Sequence, residues 1–240
     1  MQRMKNIKIW IGLTYLLILS AFLFFLFSKV SFQQITDFDF IKSQSKYLIN
    51  LRESNLFIIS IIFILLGCLW ISVLQGIGSI IFLTAGFLFG VYFGTVISVL
   101  TLSLGSSLTY IFANFFFKDL IKKKLANRFI FLKEKAQANE FFLIMMLRMV
   151  GGTPLQLQNL LPILFNAKLK SYFYASFIGF IPPAYIFCSL GAGIENQIKE
   201  NLEQPTFIQL ISSSEIYGPI IAFFFLLILA FFLRKKFYKN

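Results

Sequence analysis

The chain has no histidine, only two cysteines and ten acidic residues among 240. Cys68 and Cys188 sit in apolar stretches without C-x-x-C spacing. The usual ligands of a transition-metal site, and the usual nucleophiles and general bases, are therefore missing. No metal, no cofactor and no enzymatic chemistry are expected. Charge is missing over long stretches as well: from Ser54 to Phe117 there is no Asp, Glu, Lys or Arg. At about 1.5 Å per residue that run makes roughly 96 Å of helix, about three bilayer cores. No carboxylate falls between Glu53 and Asp119, or between Glu140 and Glu195. Proton-coupled carriers ordinarily keep a titratable group within the membrane, and arginine does not serve as one. Gradient-following movement is expected rather than pumping.

What is present is apolar: 58% hydrophobic residues, 33 of them Phe, against 13% charged. That is too little charge to cover a soluble surface, so an integral membrane protein is expected. The net charge of +12 raises nucleic acid as a partner, but the basic residues lie in short loops between apolar segments. Loop Lys and Arg ordinarily fix orientation against anionic headgroups. The expected partners are membrane lipids and their anionic headgroups and not nucleic acid, with a homo-oligomer left open.

Segments of about 9–28, 56–75, 95–117 and 216–233 read as ordinary spans, and about 171–190, with Pro182-Pro183, as a kinked fifth. The first follows a basic start (Arg3, Lys5, Lys8) with no small-x-small cleavage pattern after it, and reads as a retained anchor. Segment 29–55 reads as a polar loop. Two further stretches, about 77–93 and 141–165, carry Gly or Gly/Pro in the middle of apolar sequence: Gly86, Gly90 and Gly94 in one, Gly151, Gly152 and Pro154 in the other. Both read as re-entrant hairpins, whose broken backbone survives at depth only where protein or a watery cavity satisfies it. Each precedes an apolar helix, giving units 77–117 and 141–190 on either side of a basic segment. The fold class is thus an all-α integral membrane protein with about five transmembrane helices plus two re-entrant hairpins in an inverted repeat. Its domains are an anchor and loop (1–55), the membrane domain (56–195), and a loop with a C-terminal span and basic tail (196–240).

Segment 118–140 carries seven Lys/Arg against three acids, and the C-terminus carries Arg234, Lys235, Lys236 and Lys239, whereas 191–215 has Lys199 against four Glu. This places 118–140 and the C-terminus in the cytoplasm of a multi-pass plasma-membrane protein. The basic N-terminus also favours the inside, which five crossings cannot allow, so either it lies outside or one stretch crosses differently. The mixture of basic and apolar residues in 120–135 fits a helix lying on the anionic leaflet or a solvated connector.

Arg148 is the one formal charge between Phe141 and Ala167. A guanidinium in hydrocarbon costs several kcal/mol, roughly, so it faces an interior or cavity, or snorkels to headgroups from a shallow hairpin. In the interior it would neutralise carbonyls freed at Gly151-Gly152 and offer a fork to phosphate. Asn159, Gln156 and Gln158 either bond freed backbone or line a polar path. Gly86, Gly90 and Gly94 have the spacing of close helix packing, and Pro154 suits a turn at depth.

The pairing of Ala85-Gly86-Phe-Leu-Phe-Gly90-Val-Tyr-Phe-Gly94 with Arg148, Pro154 and Asn159 resembles the DedA / SNARE-associated Golgi protein superfamily of VTT-domain proteins, most closely its Tvp-type branch, over about residues 75–195. The resemblance implies two facing re-entrant hairpins and lipid movement, since characterised relatives scramble phospholipids or return lipid-carrier phosphates. Arg148, Pro154 and Asn159 match that motif. Gly151 and Ile163 stand where the family often has Pro and Gly, and its membrane carboxylates have no counterpart. A lipid scramblase or flippase, with Arg148, Asn159 and Gln156 at its substrate path, is the leading expectation. A small-solute transporter or channel and a non-transporting membrane organiser are the alternatives.

Overall fold

A computed structural model describes residues 38–125, 129–150 and 153–200, with isolated positions within 14–21 and 217–228. The expected spans 9–28 and 216–233 lie almost wholly outside the described residues. Two compact units divide the chain at Leu51 and Arg52. Within the stretch 29–55 read as a polar loop, the described residues form a helix, α1 (Phe38–Ser54), most of which belongs to the first unit. The second holds α2 (Leu56–Ser72), α3 (Gly78–Phe89), α4 (Val91–Leu125), α5 (Ile130–Val150), α6 (Leu155–Leu160) leading into a 3₁₀ turn (Leu161–Phe165), and α7 (Leu169–Glu200). No strand occurs among the described residues.

Two helices, α4 and α7, are long and apolar enough to cross a membrane, or three if the bent pair Tyr47–Ser54 and Leu56–Ser72 counts as one span. The apolar sequence of α2 has no polar face. It buries Ser60, Gly67, Cys68 and Ile71 and exposes Phe57, Ile61, Leu65 and Leu69. A helix apolar all round with large side chains exposed is one whose outer solvent is lipid.

Backbone breaks, rather than propensity, set the directions of the helices. After α2 the chain turns through Gln75, in the left-handed region at φ 51°, and the Gly76 N–H reaches back to Trp70 C=O at 2.9 Å. It then reverses into α3. A second turn at Gly90 (φ 77°, ψ −178°) reverses it again into α4. Thus α2 and α4 run parallel, with Gly67 against Thr101 and Gly105 against Ile71, and α3 runs antiparallel to α4, with Gly78 against Leu102 and Gly94 against Ala85.

The later half is built from α5, α6, the 3₁₀ turn and α7. α5 bends at Asn139 (φ −161°, ψ 96°), whose Oδ1 accepts the Phe142 N–H at 3.0 Å. This is an N-cap that starts a new straight arm, Glu140–Val150. After α5 the chain is next described at Thr153 and Pro154, which break it before α6 and the 3₁₀ turn, and it reverses at Asn166 (φ 51°) into α7. That helix runs antiparallel to α4: Ser98 meets Cys188 at 3.6 Å, and the Tyr110 hydroxyl donates to Ala167 C=O at 2.6 Å. Asn139→Ala is expected to lower stability by about 1 kcal/mol, typical of a lost N-cap, and to speed hydrogen exchange in 140–150 while leaving α3 unaffected.

Three expectations need correcting. The first interruption does not lie at Gly86 or Gly94, which sit inside helices: α3 is unbroken, and its turns flank it at 73–77 and Gly90. Glycine within a membrane helix marks a close neighbour as readily as a break. The returning limb and the span expected at 95–117 are one helix, Val91–Leu125, because Lys118 to Lys124 carry its last turns on past the apolar stretch. The basic segment 120–135 is not a single helix: α4 ends at Leu125 and α5 begins at Ile130. α7 continues through Pro182 and Pro183.

Candidate functional site

The buried core forms two clusters, one around Phe82, Leu102, Phe180 and Cys188, the other around Tyr110, Ile144 and Tyr172. Arg148 joins them. Its Cζ lies 4.8 Å from the ring centre of Phe180 in one and 5.3 Å from that of Tyr172 in the other, as cation–π contacts require. The side chain is 3% exposed, so it faces the interior and does not snorkel to headgroups.

Each hydrogen bond of the guanidinium goes to a different polar group. Nε donates to Ser176 Oγ at 3.2 Å, Nη1 to Gln158 Oε1 at 3.3 Å and Nη2 to Tyr172 Oη at 2.5 Å. The partners are held in turn. Gln158 Nε2 donates to Thr153 C=O at 2.9 Å, and the Tyr172 hydroxyl proton lies between Ser106 C=O at 3.3 Å and Asn159 Oδ1 at 3.2 Å. Tyr172 also stacks on Tyr110, with ring centres 4.8 Å apart. A guanidinium keeps its charge and has five N–H donors. Three are used here, all on neutral acceptors. Among the described residues no carboxylate pairs with Arg148; the ion pairs there belong to Arg52.

Local sequence explains the arrangement. Tyr172, Ser176 and Phe180 recur every four residues, so they line one stripe of α7. Beside the stripe, a Cβ on Gly179 would fall 2.6 Å from Met145 C=O and 2.7 Å from Arg148 Cβ. The missing side chain lets the arm of α5 lie against α7 and brings Arg148 onto the stripe. Pro154 is the N-cap of α6, which sets Gln158 and Asn159 facing inward, both buried.

Of the residues expected at the site, Arg148 and Asn159 come together, bridged by Tyr172. Gln156 does not join them; its Nε2 donates to Gln75 C=O at 2.5 Å. That bond links the second break to the first turn, and beside it Gly78 faces Leu155. The two turns therefore touch, at 73–78 and 153–156. Gln158 holds the guanidinium instead. Gly86 and Gly94 serve close packing and Gly90 a turn, while Gly151 and Gly152 lie outside the described residues. Ser106, Tyr172, Ser176 and Phe180 were missed. The four-residue spacing on α7 was the signal, and it was hidden among aromatics that read as ordinary membrane helix. Gln156→Leu is expected to leave Gln75 C=O unpaired and cost about 1–3 kcal/mol, read as a lower melting temperature in detergent.

Among the described residues no cluster of His, Cys, Asp or Glu is placed to hold a metal ion. Residues 76–193, from the turn before α3 to within α7, match the family described as the VTT domain. With the apolar helices, that match fits a membrane protein and supports the DedA/VTT superfamily. No solved structure matches the chain.

Proposed function

We propose that this chain, a membrane protein carrying a VTT domain and read as of the Tvp-type branch, lets phosphate-bearing lipid headgroups cross a bilayer down their gradient, without a coupled reaction. Arg148 carries the reading: a buried guanidinium with two N–H donors left over and, among the described residues, no carboxylate to neutralise it. An uncompensated buried charge is unfavourable, and a phosphate oxygen is the acceptor that a planar fork fits best. Hydroxyls and amides around it keep it soluble in the interior while leaving its charge unspent.

Depth supports the same reading. Ser106, which faces Tyr172 across the cluster, lies about 18 Å of helix rise from Lys118 and about 24 Å from Gly90. The cluster is therefore close to the middle of α4. α3 has 12 residues, about 18 Å, the arm 140–150 is about 16 Å and the arm 155–165, which ends in the 3₁₀ turn, about 19 Å, each roughly half to two-thirds of a hydrocarbon core of about 30 Å. Limbs of that length that touch at their turns fit two re-entrant hairpins in an inverted repeat, with the headgroup path between them. The tails would stay outside, along the exposed apolar face of α2 and α4. The lysine-rich end of α4 faces the cytoplasm in this reading, in a plasma membrane, with anionic headgroups as partners.

The test is a dithionite-quenching assay on proteoliposomes holding fluorescent lipids of several headgroups. Bleaching beyond the outer-leaflet fraction is expected, and a plateau equal to that of protein-free vesicles would overturn the proposal. Solute flux without lipid exchange would indicate a small-solute carrier. Stable partner binding with neither flux would indicate an organiser.

A further inference from the structure

The geometry points to a second, closed access route to Arg148, the seam between α3 and α7, latched by Arg52 and Glu195 at the end away from the basic connector. Glu195 is 5% exposed and takes no part in the cluster around Arg148. Its Oε1 lies 3.6 Å from Arg52 Nη1. The same Nη1 donates to Leu88 C=O at 2.8 Å, in the last turn of α3. Arg52 thus ties the end of α3 to α7. Arg52 is half-buried and also meets Glu53 Oε1 at 3.3 Å, and a partly exposed ion pair adds little net stability, so a latch that opens is a better account of it than a rivet.

The seam behind the latch is closely packed. It is a contact of backbones: a Cβ on Gly191 would fall 2.1 Å from Leu83 C=O, and one on Gly86 2.0 Å from Cys188 C=O. One aromatic layer follows, Phe82 against Phe180 and Phe187 with ring centres 6.1 and 6.3 Å apart, and Phe180 is the ring beneath Arg148. α3 ends on Gly90, where the left-handed turn has open space around it, so it is a ready hinge. Release of Leu88 and Glu195 by Arg52 would let α3 swing from α7 and open a way past Phe82 to the guanidinium.

This inference rests on Arg148 as the headgroup site for its purpose, but the opening itself is measured without lipid transport. Cys188 lies in the seam, its Sγ donating to Phe82 C=O at 3.2 Å, whereas Cys68 lies between α2 and α4, its Sγ donating to Thr101 C=O at 3.5 Å. Each can be made the sole thiol of the full chain in liposomes by Cys68→Ser or Cys188→Ser. A charged methanethiosulfonate is supplied to both membrane faces. Glu195→Gln, which keeps the shape, and Arg52→Gln are each expected to raise the modification rate of Cys188 about tenfold by raising the open fraction, with Cys68 unchanged. If Cys188 stays as slow as in the parent, or both cysteines speed up together, the latch is overturned. A chain that fails the lipid assay yet shows the selective rise keeps the gate and loses the lipid reading.

Discussion

Replacing Arg148 by lysine is expected to remove transbilayer lipid exchange as completely as replacing it by alanine, although the charge is kept. The guanidinium engages Ser176, Gln158 and Tyr172 through three different nitrogens while lying over two aromatic rings. An ammonium is a compact, strongly hydrated charge and cannot hold three divergent partners in one plane while still presenting a pair of donors. One hydrogen bond to a charged group is worth about 1.5–3 kcal/mol, so losing one bond alone predicts a fall of about tenfold or more in rate. The dithionite assay reads the rate, and gel filtration and melting temperature read the fold. Parent-like exchange by a folded Arg148→Lys protein would mean that charge alone suffices, and the fork at the centre of the site would be abandoned. Tyr172→Phe makes the complementary test. It keeps the ring stacked on Tyr110 but deletes the acceptor for Nη2 and the bridge to Asn159, so it should slow exchange without unfolding the protein.

The parts of this molecule legible in its sequence are those where one residue type has one physical use. An uncharged run from Ser54 to Phe117 has no place but a membrane or a very large core, and a lone arginine in apolar sequence must be held by something. Arg148 and Asn159 were found that way. Glycine has two uses, which is why the first turn was misplaced. Gly86 and Gly94 sit inside helices because a neighbouring backbone needs their missing Cβ, while the chain actually reverses at Gln75, which no composition rule singles out. The polar partners of Arg148 were illegible for a related reason. Tyr172 and Ser176 look like ordinary residues of an aromatic-rich helix until Gly179 allows α5 to approach. Pairing across helices decides which hydroxyl faces a charge, and a single sequence does not carry that pairing. The same holds for Glu195, which sits in a stretch that reads as a polar loop yet is buried on α7.

Gly86→Leu is the substitution expected to damage the fold most. A Cβ at this position would lie 2.0 Å from Cys188 C=O and 2.4 Å from Cys188 Cα, and both atoms belong to the backbone of α7, which cannot rotate aside. The helices must separate by roughly 1 Å or more for the first carbon alone, and the rest of a leucine has nowhere to go. Overpacking of this kind costs about 1–3 kcal/mol where side chains can adjust, and more is expected where the obstacle is main chain. The damage reaches the site, because α3 seats the turn at Gln75 against Gln156 and keeps Phe82 on Phe180. Gly90→Ala is the useful contrast. No atom lies within 4 Å of its Cβ, so it suffers only the strain of a left-handed backbone, about 1–3 kcal/mol. Gly86→Leu should give little monodisperse protein in detergent, a much lower melting temperature in what survives, and a reactive Cys188. Gly90→Ala should fold with a smaller loss and leave Cys188 protected. A Gly86→Leu protein as stable as the parent, with Cys188 still unreactive, would show that α3 does not lie against α7 at this point, and the seam, its latch and the seating of the first turn would all have to be redrawn.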